Sequence, residues 1–88
     1  MSDDQFDSSA AILGPIYIVL ELNCYTPTYS NSVWLVLPPY NKKDDYEQVG
    51  TRIIGPVAPV IAESVAKQLE IAFRSAACDV HTIVAPDD

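Results

Sequence analysis

The part of the chain that decides the fold runs from Val49 to Ala85 and reads VGTRIIGPVAPVIAESVAKQLEIAFRSAACDVHTIVA. Its middle has the spacing of a helix, which we predict from about Pro59 to Ala77, because proline suits the first helical turn. The predicted buried stripe consists of Ile61, Val65, Leu69, Ala72 and Ala76, widened by Ala62, Ala66 and Phe73.

Strand patterns flank this helix on both sides. A strand is predicted over 49–54, with a bulge at Gly50, and Gly55-Pro56 is expected to end it. Another strand is predicted from about Cys78 to Ala85, where Val80, Thr82 and Val84 alternate with His81, Ile83 and Ala85. A strand–helix–strand unit of this kind predicts a right-handed crossover between parallel strands.

Two more strands precede the crossover. Residues 16–25 alternate with period two, which places Ile16, Ile18, Leu20, Leu22 and Cys24 on one face. A second strand is predicted over 33–37, and the polar segment 38–48 is expected to form a long loop. The order β-β-β-α-β predicts a two-layer α+β domain, with one helix on one face of a four-stranded, mostly antiparallel sheet.

This topology makes further predictions about position. The fourth strand should lie beside the first and run parallel to it, which would place Cys24 and Cys78 at opposite ends of the sheet. Their separation would be about 20 Å, so both thiols are expected to be free. Residues 1–10 are expected to form an acidic, mobile tail, residues 11–86 the single domain, and residues 87–88 an acidic end.

Charge is concentrated in those ends. The whole chain has a net charge of −7, whereas the span 8–86 holds seven acids and five bases. Direct binding to nucleic-acid phosphate is disfavoured because no basic patch exists. The longest apolar run, residues 10–20, is too short and too broken to span a membrane, and the N-terminus lacks a secretory pattern. We therefore expect a cytoplasmic protein that does not act on membranes.

Motifs for catalysis, metal binding or a cofactor are not found, so we predict no enzyme and no cofactor. His81 is the only histidine, and a dyad with Cys78 fails because residues three apart on a strand face opposite ways. The cysteines lack the close spacing of zinc ligands. The segment 44–47, Asp-Asp-Tyr-Glu, is interpreted as a solvated loop because it lacks the ligand pattern of a calcium loop. Val60 and Ile71 are expected to be isolated exposed residues on the helix.

One helix can cover only one face of four strands. The other face should expose some of its apolar and aromatic side chains, and such patches usually mark interfaces. The candidates are Tyr17, Val19, Trp34, Val36, Ile54, His81 and Ile83.

The leading hypothesis is therefore a non-enzymatic protein-binding module. It would contact a partner through Trp34, Tyr17, Tyr40 and Tyr46, because aromatic residues dominate interface energetics. A narrower version, by analogy, is an inhibitor or accessory protein of a phage or mobile element, of the anti-defence type. The alternatives are a homo-oligomer that buries its open sheet face against its own copy and, less favoured, an acidic mimic of nucleic acid.

Overall fold

The structure is a computed structural model that describes residues 14–22, 30–41 and 45–85. The predicted tail at 1–10, the predicted end at 87–88 and Cys24 lie outside these ranges. The elements are β1 (Ile16–Glu21), β2 (Asn31–Val36), α1 (Tyr46–Val49), β3 (Thr51–Val57), α2 (Pro59–Ser75) and β4 (Val80–Ala85).

The four strands form one sheet in the order β3-β2-β1-β4. The pairs β1–β2 and β2–β3 are antiparallel, and β4 runs parallel to β1. Because α2 packs on one face of this sheet, the predicted α+β architecture is confirmed, including the position of the fourth strand. The parallel register pairs Ile16 with Val80 and Glu21 with Ala85.

The main core lies between α2 and the sheet. Alternate residues of β1, Ile16, Ile18 and Leu20, are buried there together with Val33, as the period-two pattern predicted. Ala62 and Ala66 are the buried residues of α2, and small side chains at these positions let the helix approach the strands closely.

The helix is rotated relative to the predicted stripe. Val65, Leu69 and Phe73 flank the two buried alanines, as expected. Ile61 is 45% exposed, however, and Ala72 and Ala76 are also exposed, so these three were wrongly assigned to the core. Burial therefore follows the narrower stripe centred on Ala62 and Ala66.

The strand β3 differs most from its prediction. It continues through Gly55 and Pro56 to Val57, whereas these two residues were expected to end it. Proline is tolerated because β3 is an edge strand, where not every backbone group needs a partner in the sheet. The pairing with β2 has two irregularities: one contains Gly55 and Pro56, between the pairs Asn31↔Val57 and Val33↔Ile54, and the other is at Ile53, between Val33↔Ile54 and Trp34↔Arg52. Neither lies at Gly50.

Gly55 makes this path possible. Its φ is +135°, a backbone conformation that side chains with a Cβ rarely adopt. A Cβ added there would come within 2.7 Å of the Cα of Ser32, which is itself buried. The glycine is thus required by the close approach of β3 to β2.

The predicted loop over 38–48 also contains a helical turn. Tyr46–Val49 forms α1, and Gly50 ends it by donating from its N–H to the carbonyl oxygen of Tyr46 at 2.9 Å. The start of the third strand was therefore placed two residues too early, at Val49. The segment 44–47 was predicted to be a solvated loop, but Tyr46 and Glu47 belong to α1, which Asp45 caps. Asp45 and Glu47 are exposed as expected, and Asp44 lies outside the described ranges.

The described parts of the chain contain no helix that is long and apolar enough to cross a membrane. Cys78 is a free, partly buried thiol, as predicted.

Candidate functional site: the aromatic sheet face

The side of the sheet that faces away from α2 carries a second, smaller core. Val19 and Val36 lie at its centre and are fully buried. We call this side the aromatic face, which comprises these two residues together with Tyr17, Glu21, Trp34, Tyr46, Val49, Arg52, His81, Ile83 and Ala85. The turn α1 contacts this face next to β2 and β3.

The prediction that one face lacks a cover is therefore corrected in part. Val19 and Val36 were candidates for exposure, but both have no exposed surface, since Tyr46 and Val49 of α1 pack against this cluster. Ile54 was also a candidate and instead packs in the main core under α2. The aromatic and polar side chains around Val19 and Val36 remain accessible to solvent, whereas Val19 and Val36 themselves are covered.

A single carboxylate organises the middle of the aromatic face. The indole Nε1–H of Trp34 donates to Oε1 of Glu21 at 2.9 Å, and the hydroxyl of Tyr46 donates to Oε2 at 3.2 Å. Glu21 is the last residue of β1, and alternation places it on the same side as Tyr17 and Val19. The carboxylate thus joins β1, β2 and α1 through two charge-assisted hydrogen bonds.

Trp34 lies between two further groups. The Tyr46 ring meets it edge-on, with the ring centroids 5.7 Å apart. The guanidinium carbon of Arg52 lies 5.5 Å from the indole centroid, which is within the range of a cation–π contact. Arg52 is directly opposite Trp34 in the register between β2 and β3, so strand pairing itself positions the cation over the ring.

Tyr46 is the first residue of α1, and a capping hydrogen bond stabilises this end of the helix. Asp45 precedes α1, and its Oδ1 accepts a hydrogen bond from the backbone N–H of Glu47 at 3.1 Å. Partial burial, followed by the charge of Glu21 and the hydrogen bond to it, raises the pKa of Tyr46 to about 12. The phenol therefore remains a proton donor across the physiological pH range.

A second aromatic pair lies at the opposite side of the face, next to the β4 edge. The Tyr17 and His81 rings are 5.6 Å apart at an interplanar angle of 30°, because their strands place them side by side. His81 Nε2 is also 3.0 Å from Oδ1 of Asp79. The histidine is thus an exposed strand residue, as the sequence suggested, and the structure adds two local partners.

Among the described residues, the charges around the aromatic face are mainly negative. Glu21, Asp45 and Glu47 surround Tyr46, and the pKa of Glu47 is raised by desolvation of its carboxyl and then by the charges of Glu21 and Asp45. Arg52 is the one arginine or lysine among the residues of the face that the structure describes, and it is exposed. Aromatic rings rimmed by carboxylates form a surface suited to cations and hydrogen-bond donors on another molecule.

The structure brings together three of the four residues that were predicted to bind a partner. Trp34, Tyr17 and Tyr46 share the aromatic face. Tyr40 does not join them; it is 47% exposed in a turn where its N–H donates to the carbonyl oxygen of Leu37. Tyr46 reaches the face from α1, which lies in the segment predicted to be a long loop over 38–48.

Sequence reasoning missed Glu21 and Arg52. A signal for Glu21 was present, since it shares the alternation of Tyr17 and Val19 and is the only charged residue of β1. Arg52 could not have been found in this way, because its position over Trp34 depends on the irregularity at Ile53.

The other chemical candidates are separated. Cys78 packs at the border of the main core on the α2 side, whereas His81 is on the opposite side of the sheet. Within residues 14–22, 30–41 and 45–85, no group of three or more His, Cys, Asp or Glu side chains could hold a metal ion.

Comparisons with known proteins do not extend this description. No family model matches the chain, and neither the curated proteins nor the solved structures contain a match to it.

Proposed function

We propose that this protein is a small protein-binding module that contacts its partner through the aromatic face. The observation that supports this proposal most directly is the combination of half-buried Tyr17, Trp34 and Tyr46 on one surface. Large rigid aromatic side chains supply much contact area at low entropic cost, and they are enriched among the residues that dominate binding energy. The buried centre at Val19 and Val36 would fix the rings before the partner arrives.

The charges of the face favour one class of partner. Glu21, Asp45 and Glu47 lie around the Trp34–Tyr46 pair, so a segment with arginine or lysine among apolar residues would find both carboxylates and ring faces. A narrower form of the proposal is an inhibitor or accessory protein of the type that phages and mobile elements encode. It rests on size, acidity and the lack of a catalytic motif in the sequence.

Tyr17→Ala is the variant that tests the face. We expect it to weaken partner capture by more than about tenfold, as for an interface residue that contributes roughly 1.4 kcal/mol or more. Val60→Ala is the matched control, because Val60 is 70% exposed on α2 and far from the aromatic face. Trp34→Ala is a poorer test, since Trp34 also supports the fold through Glu21 and Tyr46.

The experiment is a tagged pull-down from the cells that produce the protein, washed at low and at high salt, with wild type and both variants in parallel. Circular dichroism checks that each variant is folded. A stoichiometric partner that is lost with Tyr17→Ala and kept with Val60→Ala would support the proposal. Equal capture by all three chains would refute it, and a partner that is lost at high salt but is captured equally by wild type and Tyr17→Ala at low salt would favour acidic mimicry instead.

A further inference from the structure

The two edges of the sheet are protected to very different degrees. At one edge, β3 contains Gly55, Pro56, the irregularity at Ile53 and the charged Arg52, all of which are devices that discourage pairing with another strand. At the other edge, β4 reads Val-His-Thr-Ile-Val-Ala and pairs with β1 through six residues without a register shift. It contains no proline, glycine, lysine or bulge.

The outer edge of β4 presents a regular set of backbone groups. The carbonyl oxygens of Asp79 and Ala85 accept hydrogen bonds from the β1 side, at Ile16 and Leu22. Because backbone groups alternate in direction along a strand, odd-numbered residues bond to β1, and Val80, Thr82 and Val84 direct their N–H and C=O groups outwards. Among the described strands, none pairs with this outer edge.

We propose that β4 pairs in antiparallel fashion with β4 of a second copy of this chain, about a two-fold axis at Thr82. In this register Thr82 faces Thr82 of the second copy, and Val80 faces Val84. All outward N–H and C=O groups of Val80, Thr82 and Val84 are then paired. A shift of two residues in either direction would leave some of them without a partner.

Side chains agree with this register. Val84 is 50% exposed although it lies on the α2 side of the sheet, and it would pack against Val80 of the second copy. Threonine pairs directly across antiparallel strands are favourable. On the aromatic face, Ile83 would lie opposite His81 of the second copy.

The charged side chains of α2 also favour a two-fold axis near Thr82. Glu63, Lys67, Glu70 and Arg74 lie within about 60° of arc on the helix, on the flank that faces β4. Glu70 shows that this flank of α2 lies next to β4, because its Oε1 accepts a hydrogen bond from the hydroxyl of Thr82 at 3.2 Å. In an antiparallel dimer, the α2 helices of the two copies would run side by side with these flanks facing each other.

The order of the charges along α2 lets two antiparallel copies of the helix place opposite charges level with each other. A two-fold axis midway between Lys67 and Glu70 places Lys67 level with Glu70 of the second copy, and Glu63 level with Arg74. That midpoint is about 2 Å along the helix from Glu70, less than the rise of one strand residue. Since the Glu70 carboxylate lies beside Thr82, the strand register and the helix charges place the axis within about one side-chain length of each other.

A second copy is therefore the occupant that the charges favour over an unrelated strand. The facing helices would be about 20 Å apart at their axes, with β4 of both copies between them. Their long side chains would approach within the Debye length of about 8 Å at physiological salt. The charges would thus select the antiparallel, in-register arrangement, whereas the backbone hydrogen bonds would hold it.

The test is sedimentation of the full chain over a concentration series up to several hundred micromolar. We expect a reversible monomer–dimer equilibrium. Thr82→Lys should raise the dissociation constant more than tenfold, because it places two like charges at the axis. Val84→Lys is a second variant at a half-exposed site, and Ile71→Lys on the exposed side of α2 is the matched control.

Two further measurements make the result specific. Glu63→Lys should weaken the dimer at low salt, and adding Arg74→Glu should restore part of the affinity, since the double variant regains opposite charges across the axis but loses the ion pair of Arg74 with Glu70 at 2.9 Å. Amide exchange should slow at Val80, Thr82 and Val84 on dimerisation and remain unchanged at His81 and Ile83. A chain that stays monomeric over this range, or a dimer that survives both lysine variants at β4, would overturn the proposal, as would a dimer that only Tyr17→Ala disrupts.

Discussion

Replacing Glu21 by alanine should destabilise the domain far more than is usual for a partly exposed carboxylate. The change removes both acceptors in the middle of the aromatic face, at 2.9 Å from the Trp34 indole nitrogen and 3.2 Å from the Tyr46 hydroxyl. A hydrogen bond to a charged group contributes about 1.5–3 kcal/mol when it is buried, and these two are only partly buried. We therefore expect a loss of about 2 kcal/mol in the free energy of unfolding.

The assay is thermal and urea unfolding followed by fluorescence. Trp34 is the only tryptophan of the chain, so its emission reports directly on the site. In a domain of this size, about 2 kcal/mol corresponds to a fall in Tm of roughly 10 °C. Glu63→Ala is the matched control, since Glu63 is exposed on α2, and in dilute solution it should change the free energy by less than about 0.5 kcal/mol.

A double-mutant cycle with Tyr46→Phe tests the mechanism. On its own, Tyr46→Phe should cost about 1 kcal/mol, because the ring stays and only the donor to Glu21 is lost. In the Glu21→Ala background, the same change should cost almost nothing. If Glu21→Ala unfolds like the Glu63 control, or if the two losses simply add, the carboxylate does not connect α1 to the sheet and the reasoning is wrong.

Two further predictions follow from particular residues. Because the pKa of Tyr46 is about 12 when folded and about 10 when unfolded, its contribution to stability is complete below pH 10 and is lost as the pH rises through 12. Alkaline unfolding should thus be less steep for Tyr46→Phe than for wild type over this interval, and identical slopes would contradict the assignment. Gly55→Ala should cost about 2 kcal/mol more than Gly14→Ala in urea unfolding. The two glycines have nearly the same φ, but a Cβ at Gly55 meets the Ser32 backbone, whereas one at Gly14 meets only the Pro38 side chain at 3.3 Å, so equal costs would show that crowding is unimportant.

Most of the fold could be predicted because its signals are local. The alternation of β1 and the helical period of α2 each span enough residues to be recognised, and the crossover then determines the position of β4. The path of β3 could not be predicted in the same way. Gly55-Pro56 is typical of a strand end, and it continues a strand here only because β3 lies at the sheet edge and presses against Ser32.

The turn α1 escaped prediction for a different reason. Four residues are too few to show a helical period, and the contact that positions the turn joins Tyr46 to Glu21 across 25 positions of sequence. The aromatic residues of the site were recognisable from composition, whereas the polar groups that fix them were not. Glu21 and Arg52 acquire their roles only when strand register places them beside Trp34.

The two proposals concern neighbouring but separable parts of β4. Ile83 and His81 project onto the aromatic face, whereas Thr82 lies on the α2 side and Val80, Thr82 and Val84 supply the backbone groups of the edge. A dimer about Thr82 would join two sheets edge to edge and place two aromatic faces on the same side. A partner with two matching segments would then be held by both faces, and a high effective concentration would strengthen binding without a new contact. On this view, Thr82→Lys should weaken capture of such a partner while leaving each face able to bind, whereas Tyr17→Ala should weaken binding at each face, in monomer and dimer alike.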